Sequence, residues 1–143
     1  MTELAKMSSI EKPTDVSTIE AAQKMDFEPE NVVAGSYNQG ILILEGSSAT
    51  IIGNRIERSN KANIALGGQG SGSTIIKENY VCNSKRGEGI FVVEGESELT
   101  IEENWIEKNQ DGIVLLNSDG LVKNNIVRMN VRSGVVSAGY TSA

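Results

Sequence analysis

Carboxylates are the side chains of this sequence with the most chemistry to offer. Glu94, Glu96 and Glu98 alternate in the run E-G-E-S-E, near Glu45 of the preceding segment, and such a cluster could hold a cation or a basic peptide; most runs of this kind are solvated loops. Glu78 and Glu103 occupy equivalent places in two similar segments, where one above the other they would repel mildly. Carboxyl groups about 5 Å apart suit a retaining glycosidase, but nothing near these two implies a groove. Of the four aspartates, Asp15 and Asp26 precede the patterned part of the chain, and Asp111 and Asp119 lie in loops with no matching acidic partner. There is no histidine, so acid–base catalysis, zinc binding and nucleophilic triads lose their commonest member. Cys82 is the single cysteine. It cannot form an internal disulfide, and nothing here would activate it as a nucleophile. Gly67-Gly68-Gln69-Gly70-Ser71-Gly72 lacks the Lys-Ser/Thr ending and the helix of a phosphate loop. Asn117-Ser118-Asp119-Gly120 lacks the bidentate Glu of a calcium loop and reads as a turn. No catalytic residue, metal or cofactor is expected; the chain leans away from being an enzyme, although activity stays open.

What must position these residues is a repeat. T-I-I-G-N-R-I-E-R-S from Thr50 to Ser59 returns as I-I-K-E-N-Y-V-C-N-S from Ile75 to Ser84. It returns again as T-I-E-E-N-W-I-E-K-N from Thr100 to Asn109 and L-V-K-N-N-I-V-R-M-N from Leu121 to Asn130. The pivots Asn54, Asn79, Asn104 and Asn125 are separated by 25, 25 and 21 residues. Before each pivot stands Ile51, Ile76, Ile101 or Val122, and after it Ile56, Val81, Ile106 or Val127. Further on come Ser59, Ser84, Asn109 or Asn130, and then the pairs Asn63-Ile64, Gly89-Ile90, Gly112-Ile113 and Gly134-Val135. Asn31, Val33, Ser36 and Gly40-Ile41 fit the same frame.

A fixed period in this range means a solenoid whose coils stack. The alternating, Ile- and Val-rich segments predict strands rather than helices, and each unit is too short for strand–helix–strand. The expected fold is all-β: a parallel β-helix of about five coils, the first and last incomplete, with strands pairing about 4.8 Å apart. Asn at each pivot suits a corner in the left-handed backbone region. Stacked pivots would also bond amide to amide as a structural ladder.

The frame N-x-[IV]-x-x-[SN] followed by G-I-x-[VIL] resembles the right-handed parallel β-helix repeat of the pectin lyase-like superfamily, over about Asn31 to Ala138. The resemblance implies a single-stranded right-handed β-helix. It spans polysaccharide lyases and hydrolases as well as non-catalytic proteins, such as F-box β-helix proteins that bind other proteins. The pectin-degrading members use Asp clusters, with calcium or paired acids, plus a basic residue; no such motif can be carried onto this sequence.

A length of 143 residues is one domain's worth of chain. The formal net charge of −6 argues against a nucleic-acid or anionic-membrane partner, which would want a basic patch. No apolar run reaches transmembrane length, and the N-terminus lacks the apolar core of a signal peptide, so a cytoplasmic location is expected. Residues 1–30 do not repeat. Ser17-Thr18-Ile19-Glu20 fits a capping box and predicts a helix over about 18–25 that would cap the solenoid, whose coils occupy 31–143.

Alternation places Leu42/Leu44, Ala65/Gly67, Phe91/Val93, Val114/Leu116 and Val136 on the outside of one sheet. Such an apolar stripe marks a contact surface or lies under another segment of the chain. Arg55, Tyr80 and Trp105 recur just after the pivots, where outward aromatics could platform a sugar ring. Cys82, next to inward Val81, should also face outward. The leading expectation is a non-catalytic module for protein–protein contact or assembly. Its interface would be Leu42, Leu44, Phe91, Val93, Val114 and Leu116, and its partner another protein or a second copy, as a homodimer or end to end. The competing reading is a carbohydrate-binding or polysaccharide-degrading β-helix.

Overall fold

The computed structural model describes residues 28–44, 47–67, 73–94 and 98–139. The predicted capping helix at 18–25 lies outside them, and so do Glu45, Glu96 and most of the Gly67–Gly72 loop. The described residues contain fourteen strands and no helix. They form three parallel sheets, wound as a β-solenoid of about four turns, against the about five coils expected from the repeat. Two of the sheets hold five strands and the third four.

Sheet A stacks β1 (Val32–Ala34), β4 (Arg55–Glu57), β7 (Tyr80–Cys82), β10 (Trp105–Glu107) and β13 (Ile126–Arg128). Sheet B stacks β2 (Ile41–Ile43), β5 (Ile64–Gly67), β8 (Glu88–Val93), β11 (Asp111–Leu116) and β14 (Ser133–Ala138). Sheet C stacks β3 (Ala49–Ile52), β6 (Ser73–Lys77), β9 (Glu98–Glu102) and β12 (Leu121–Lys123). Every coil visits the sheets in the same order, so equivalent residues of the repeat pair directly: Arg55 with Tyr80, Tyr80 with Trp105, Trp105 with Ile126.

The core is the inward half of each strand. Ile51, Ile76 and Ile101 line it from sheet C, Ile56, Val81 and Ile106 from sheet A, and all six are fully buried. Sheet B contributes Ile64, Leu66, Ile90, Val92, Ile113 and Leu115. β-branched side chains suit this stack because each rests on its own kind one coil away.

The corner beside each pivot differs from the expectation. Asn54, Asn79, Asn104 and Asn125 do not adopt positive φ. The residues just before them do: Gly53 (φ 75°), Glu78 (56°), Glu103 (58°) and Asn124 (56°). A second left-handed corner falls after each sheet A strand, at Gly35, Arg58, Asn83, Lys108 and Met129. The pivot is set by the hydrogen bonds of its side chain, not by tolerance of a strained backbone. From Asn79 on, each pivot's Oδ1 accepts the backbone and side-chain N–H of the pivot one coil earlier, at 2.8 and 3.2 Å for Asn54 to Asn79 and 2.9 and 3.0 Å for Asn79 to Asn104. Asn104 donates likewise to Asn125 at 2.9 and 3.0 Å, and Asn31 donates to Asn54 at 3.1 Å. The remaining amide proton goes to a sheet C carbonyl, as from Asn79 to Ile51 at 2.9 Å. A buried amide so placed leaves no donor without a partner.

A second ladder runs down the next corner. Ser84 N–H donates to Asn109 Oδ1 at 3.0 Å, and Asn109 N–H donates to Asn130 Oδ1 at 2.9 Å. Gly112, the second residue of β11, is required by the close stacking there: a Cβ would run into the Gly134 carbonyl oxygen and lie 2.6 Å from Val127 Cγ1 and 3.0 Å from Asn130 Nδ2.

Candidate functional site

The outer face of sheet B carries the apolar columns that alternation places there. Leu42, Ala65, Phe91, Val114 and Val136 pair in register through all five strands. Beside them run Gly67, Val93, Leu116 and Ala138. From Leu42 to Ala138 neither column holds a charged side chain. Exposure is uneven along the stripe. Leu42 and Leu44 are 45% and 59% exposed, Phe91, Val93, Leu116 and Val136 are half-buried, and Ala65 and Val114 are buried. The open parts of the stripe are therefore at Leu42 and Leu44 and, in the last described strand, at Ala138.

Sheet C presents a different outside. Thr50, Ile75, Thr100 and Leu121 form one column, and the turn at Asp119–Gly120 walls a shallow open depression beside it. The next column is ionic: Lys77 Nζ lies 3.7 Å from both Glu102 and Glu103, and Lys123 Nζ lies 3.6 Å from Glu102. Glu103 thus meets a lysine of the coil below, while Glu78 is buried in its corner. The two do not act as an exposed carboxylate pair.

Sheet A overturns the reading of its aromatics as an open platform. The column Arg55–Tyr80–Trp105 exists in register, but Tyr80 and Trp105 are only 9% and 3% exposed. Arginines lie on the rings, Arg55 over Tyr80 and Arg128 over Trp105, each guanidinium 5.0 Å from the ring centroid. Cation–π stacking of this kind closes the face a sugar would use. The neighbouring column, Glu57–Cys82–Glu107–Arg128, locks it further. Tyr80 donates its hydroxyl to Glu107 at 2.6 Å, Arg128 donates to the same carboxylate at 3.0 Å, and Arg55 donates to Glu57 at 3.0 Å.

The electrostatics of this network follow from its burial. Burial alone would raise the Glu107 pKa; the hydrogen bonds from Tyr80 and Arg128 outweigh it and hold the carboxyl below its ordinary value. The indole N–H of Trp105 makes no regular hydrogen bond, yet its dipole favours the same carboxylate. Burial, then the Glu107 bond, pushes the Tyr80 hydroxyl up. Cys82 shares the outward column but is fully buried. Burial and the Glu57 charge push its thiol up to about 11, so it is neither exposed nor a thiolate.

Asp111 and Asp119 form no carboxylate cluster among the described residues. Asp111 is buried and takes a two-pronged bond from Arg132, at 3.2 and 2.6 Å. Among the described residues no cluster of His, Cys, Asp or Glu could hold a metal ion, and no helix is long and apolar enough to cross a membrane. The pairings missed at the level of sequence all join side chains one coil apart: Arg128 with Glu107, Arg132 with Asp111, and Lys77 with Glu103. The fixed period was the signal that could have found them.

The comparisons with curated proteins and with solved structures gave no match. One family model matches, described as a right handed beta helix region, and it spans residues 8–143. That covers nearly the whole chain and agrees with the three stacked parallel sheets. The chain belongs to the right-handed β-helix family.

Proposed function

We propose that this chain is a non-catalytic β-helix module that works through protein–protein contact, as an interaction or assembly scaffold, with the outer face of sheet B as its contact surface. The observation that carries the reading is the uncharged stripe Leu42–Ala65–Phe91–Val114–Val136, continuous over five strands. An outward sheet face normally alternates with polar residues, and sheet C of the same solenoid carries its ion pairs there. A flat stripe with a pitch of about 4.8 Å is matched by construction to a second copy of itself. The stripe crosses four strand spacings, about 19 Å in all, a short contact that supports weak, reversible association.

Phe91→Lys tests this reading. It places a charge at the middle of the stripe without touching the core, so association should be lost while the melting temperature stays within a few degrees of wild type. Association that survives the substitution would sink the proposal.

Carbohydrate binding or degradation rests on the resemblance to the pectin lyase-like repeat. The arginine-covered rings of Tyr80 and Trp105 weaken its most obvious site. A panel of polyuronates and glycans, bound by wild type and not by Trp105→Ala, would revive it.

A further inference from the structure

We infer that the turns leading from sheet A to sheet B form a basic corner that binds a short acidic peptide segment of a partner protein. The inference does not depend on the outer face of sheet B.

The first observation is where the uncommitted cations lie. Among the described residues, Glu57 holds Arg55 and Arg58 in ion pairs, Glu102 holds Lys77 and Lys123, Glu107 holds Arg128, and Asp111 holds Arg132. The other basic residues, Lys61, Lys85, Arg86 and Lys108, are exposed and make no ion pair with any described residue. All of them sit in the turns 58–63, 83–87 and 108–110, which carry no acidic residue. The segments that join sheet B to sheet C, 44–48, 68–72, 94–97 and 117–120, carry no basic one. The net charge of −6 thus conceals a sorting of charge by corner.

The second observation is register. Asn60 N–H donates to the Ser36 carbonyl at 2.9 Å, and Lys85 N–H donates to the Ser59 carbonyl at 2.8 Å. With the offset of a parallel ladder, these bonds set Tyr37, Asn60 and Lys85 in a row along the corner. Lys61 and Arg86 come next along the chain, and Lys108 opens the turn of the following coil. The cations therefore cover two strand spacings, about 10 Å. Tyr37 is 84% exposed and adds a hydroxyl donor to the same row.

The third observation is that the corner is built rather than loose. Ser84 Oγ donates to the Lys61 carbonyl at 2.7 Å and accepts the Gly87 N–H at 3.0 Å. A Cβ on Gly87 would lie 2.5 Å from the Lys61 carbonyl carbon. The turn bearing Lys85 and Arg86 is thereby seated on the turn bearing Lys61, and binding need not order it.

The size of the corner favours a short anion. Alternate side chains of an extended segment stand about 7 Å apart, so a few carboxylates span it. Duplex nucleic acid carries a charge about every 1.7 Å and would run on past these coils. Beyond them the remaining described residues hold six basic against twelve acidic side chains, which repel a long polyanion.

The test is fluorescence anisotropy of dye-labelled hexaglutamate, titrated with the full chain to about 1 mM in about 20 mM salt, where exposed charges are weakly screened. Saturable binding is expected, weakening severalfold in about 150 mM salt. Lys61→Glu and Lys85→Glu should each weaken it about fivefold. Lys123→Glu, the same change of charge on sheet C, should leave it within about twofold. All three positions are exposed, so the melting temperature should stay within a few degrees of wild type. No binding at about 1 mM, or an equal loss in Lys123→Glu, would overturn the inference. So would an oligothymidylate or a chondroitin sulfate hexasaccharide that displaces the peptide at about a tenth of its concentration, because the corner would then suit nucleic acid or an acidic glycan better than a peptide.

Discussion

Asn63 donates its side-chain N–H to Asn109 Oδ1 at 3.0 Å across 46 residues, a bond that skips a whole coil. It does so because Ser84, the ladder residue between them, is short. In the two coils that follow, the position of Asn63 is glycine and the ladder residue above it is Asn: Gly89 lies below Asn109, and Gly112 below Asn130; in the first coil Gly40 lies below Ser59. Bulk at one place is exchanged for bulk at the other. Asn63→Gly should therefore cost about 1–3 kcal/mol by stranding buried groups, and Ser84→Asn alone should destabilise by overpacking. The double variant should be more stable than either single one, as read by chemical denaturation, and a purely additive pair would count against this account.

Met129 sits in the left-handed region with φ of 57° and is 62% exposed. A side chain there carries backbone strain of about 1 kcal/mol, with little burial to set against it. Met129→Gly should raise stability by about 0.5–1 kcal/mol, and Gly53→Ala, at φ of 75°, should lower it by about as much. Denaturant midpoints decide the matter; a loss on Met129→Gly would mean that its side chain makes a contact outweighing the strain.

Cys82 should be inert in the folded protein. It is fully buried, and its thiol is pushed up to about 11, so at pH 8 hardly any thiolate exists to attack a reagent. An aromatic disulfide reagent should leave it untouched for many minutes and titrate it fully in denaturant. Rapid labelling of the native chain would contradict the closed outer face of sheet A.

Asp111 should make the fold acid-sensitive. The Arg132 bonds hold its carboxyl below its ordinary value of 3.8. A depressed folded-state pKa contributes stability that is fully present above the unfolded value and lost as pH falls through the folded one. Between neutral pH and pH 5 this contribution is constant; below about pH 4 the melting temperature should fall. Asp111→Asn should be less stable at neutral pH and show a shallower decline in acid. An equal slope in both proteins would remove Asp111 from the explanation, leaving Glu107, whose carboxyl is also held low.

The core and its period were legible in the sequence because each inward position repeats the same residue type: Ile51, Ile76, Ile101. Sheet B's outward stripe was legible for the same reason, since strict alternation assigns Leu42 and Phe91 to one side. Exposure was not legible. Tyr80 and Trp105 point outward as expected, yet they are closed by arginines whose reach from a neighbouring coil no local pattern encodes. The left-handed corners were misassigned to the pivots because Asn is the residue that tolerates them best. Here the amide's bonds hold Asn79 in place, and Glu78, with no special aptitude, takes the strained corner. The sequence names no partner for the stripe, because an apolar face carries no record of what would cover it.

The central claim is that the outer face of sheet B is a contact surface. Light scattering across a concentration range tests it most directly. A mass rising from 15.3 kDa toward twice that value, and held at 15.3 kDa when Phe91→Lys is added, is the result predicted. A chain that stays at 15.3 kDa at every concentration, or a dimer that tolerates Phe91→Lys, would contradict it.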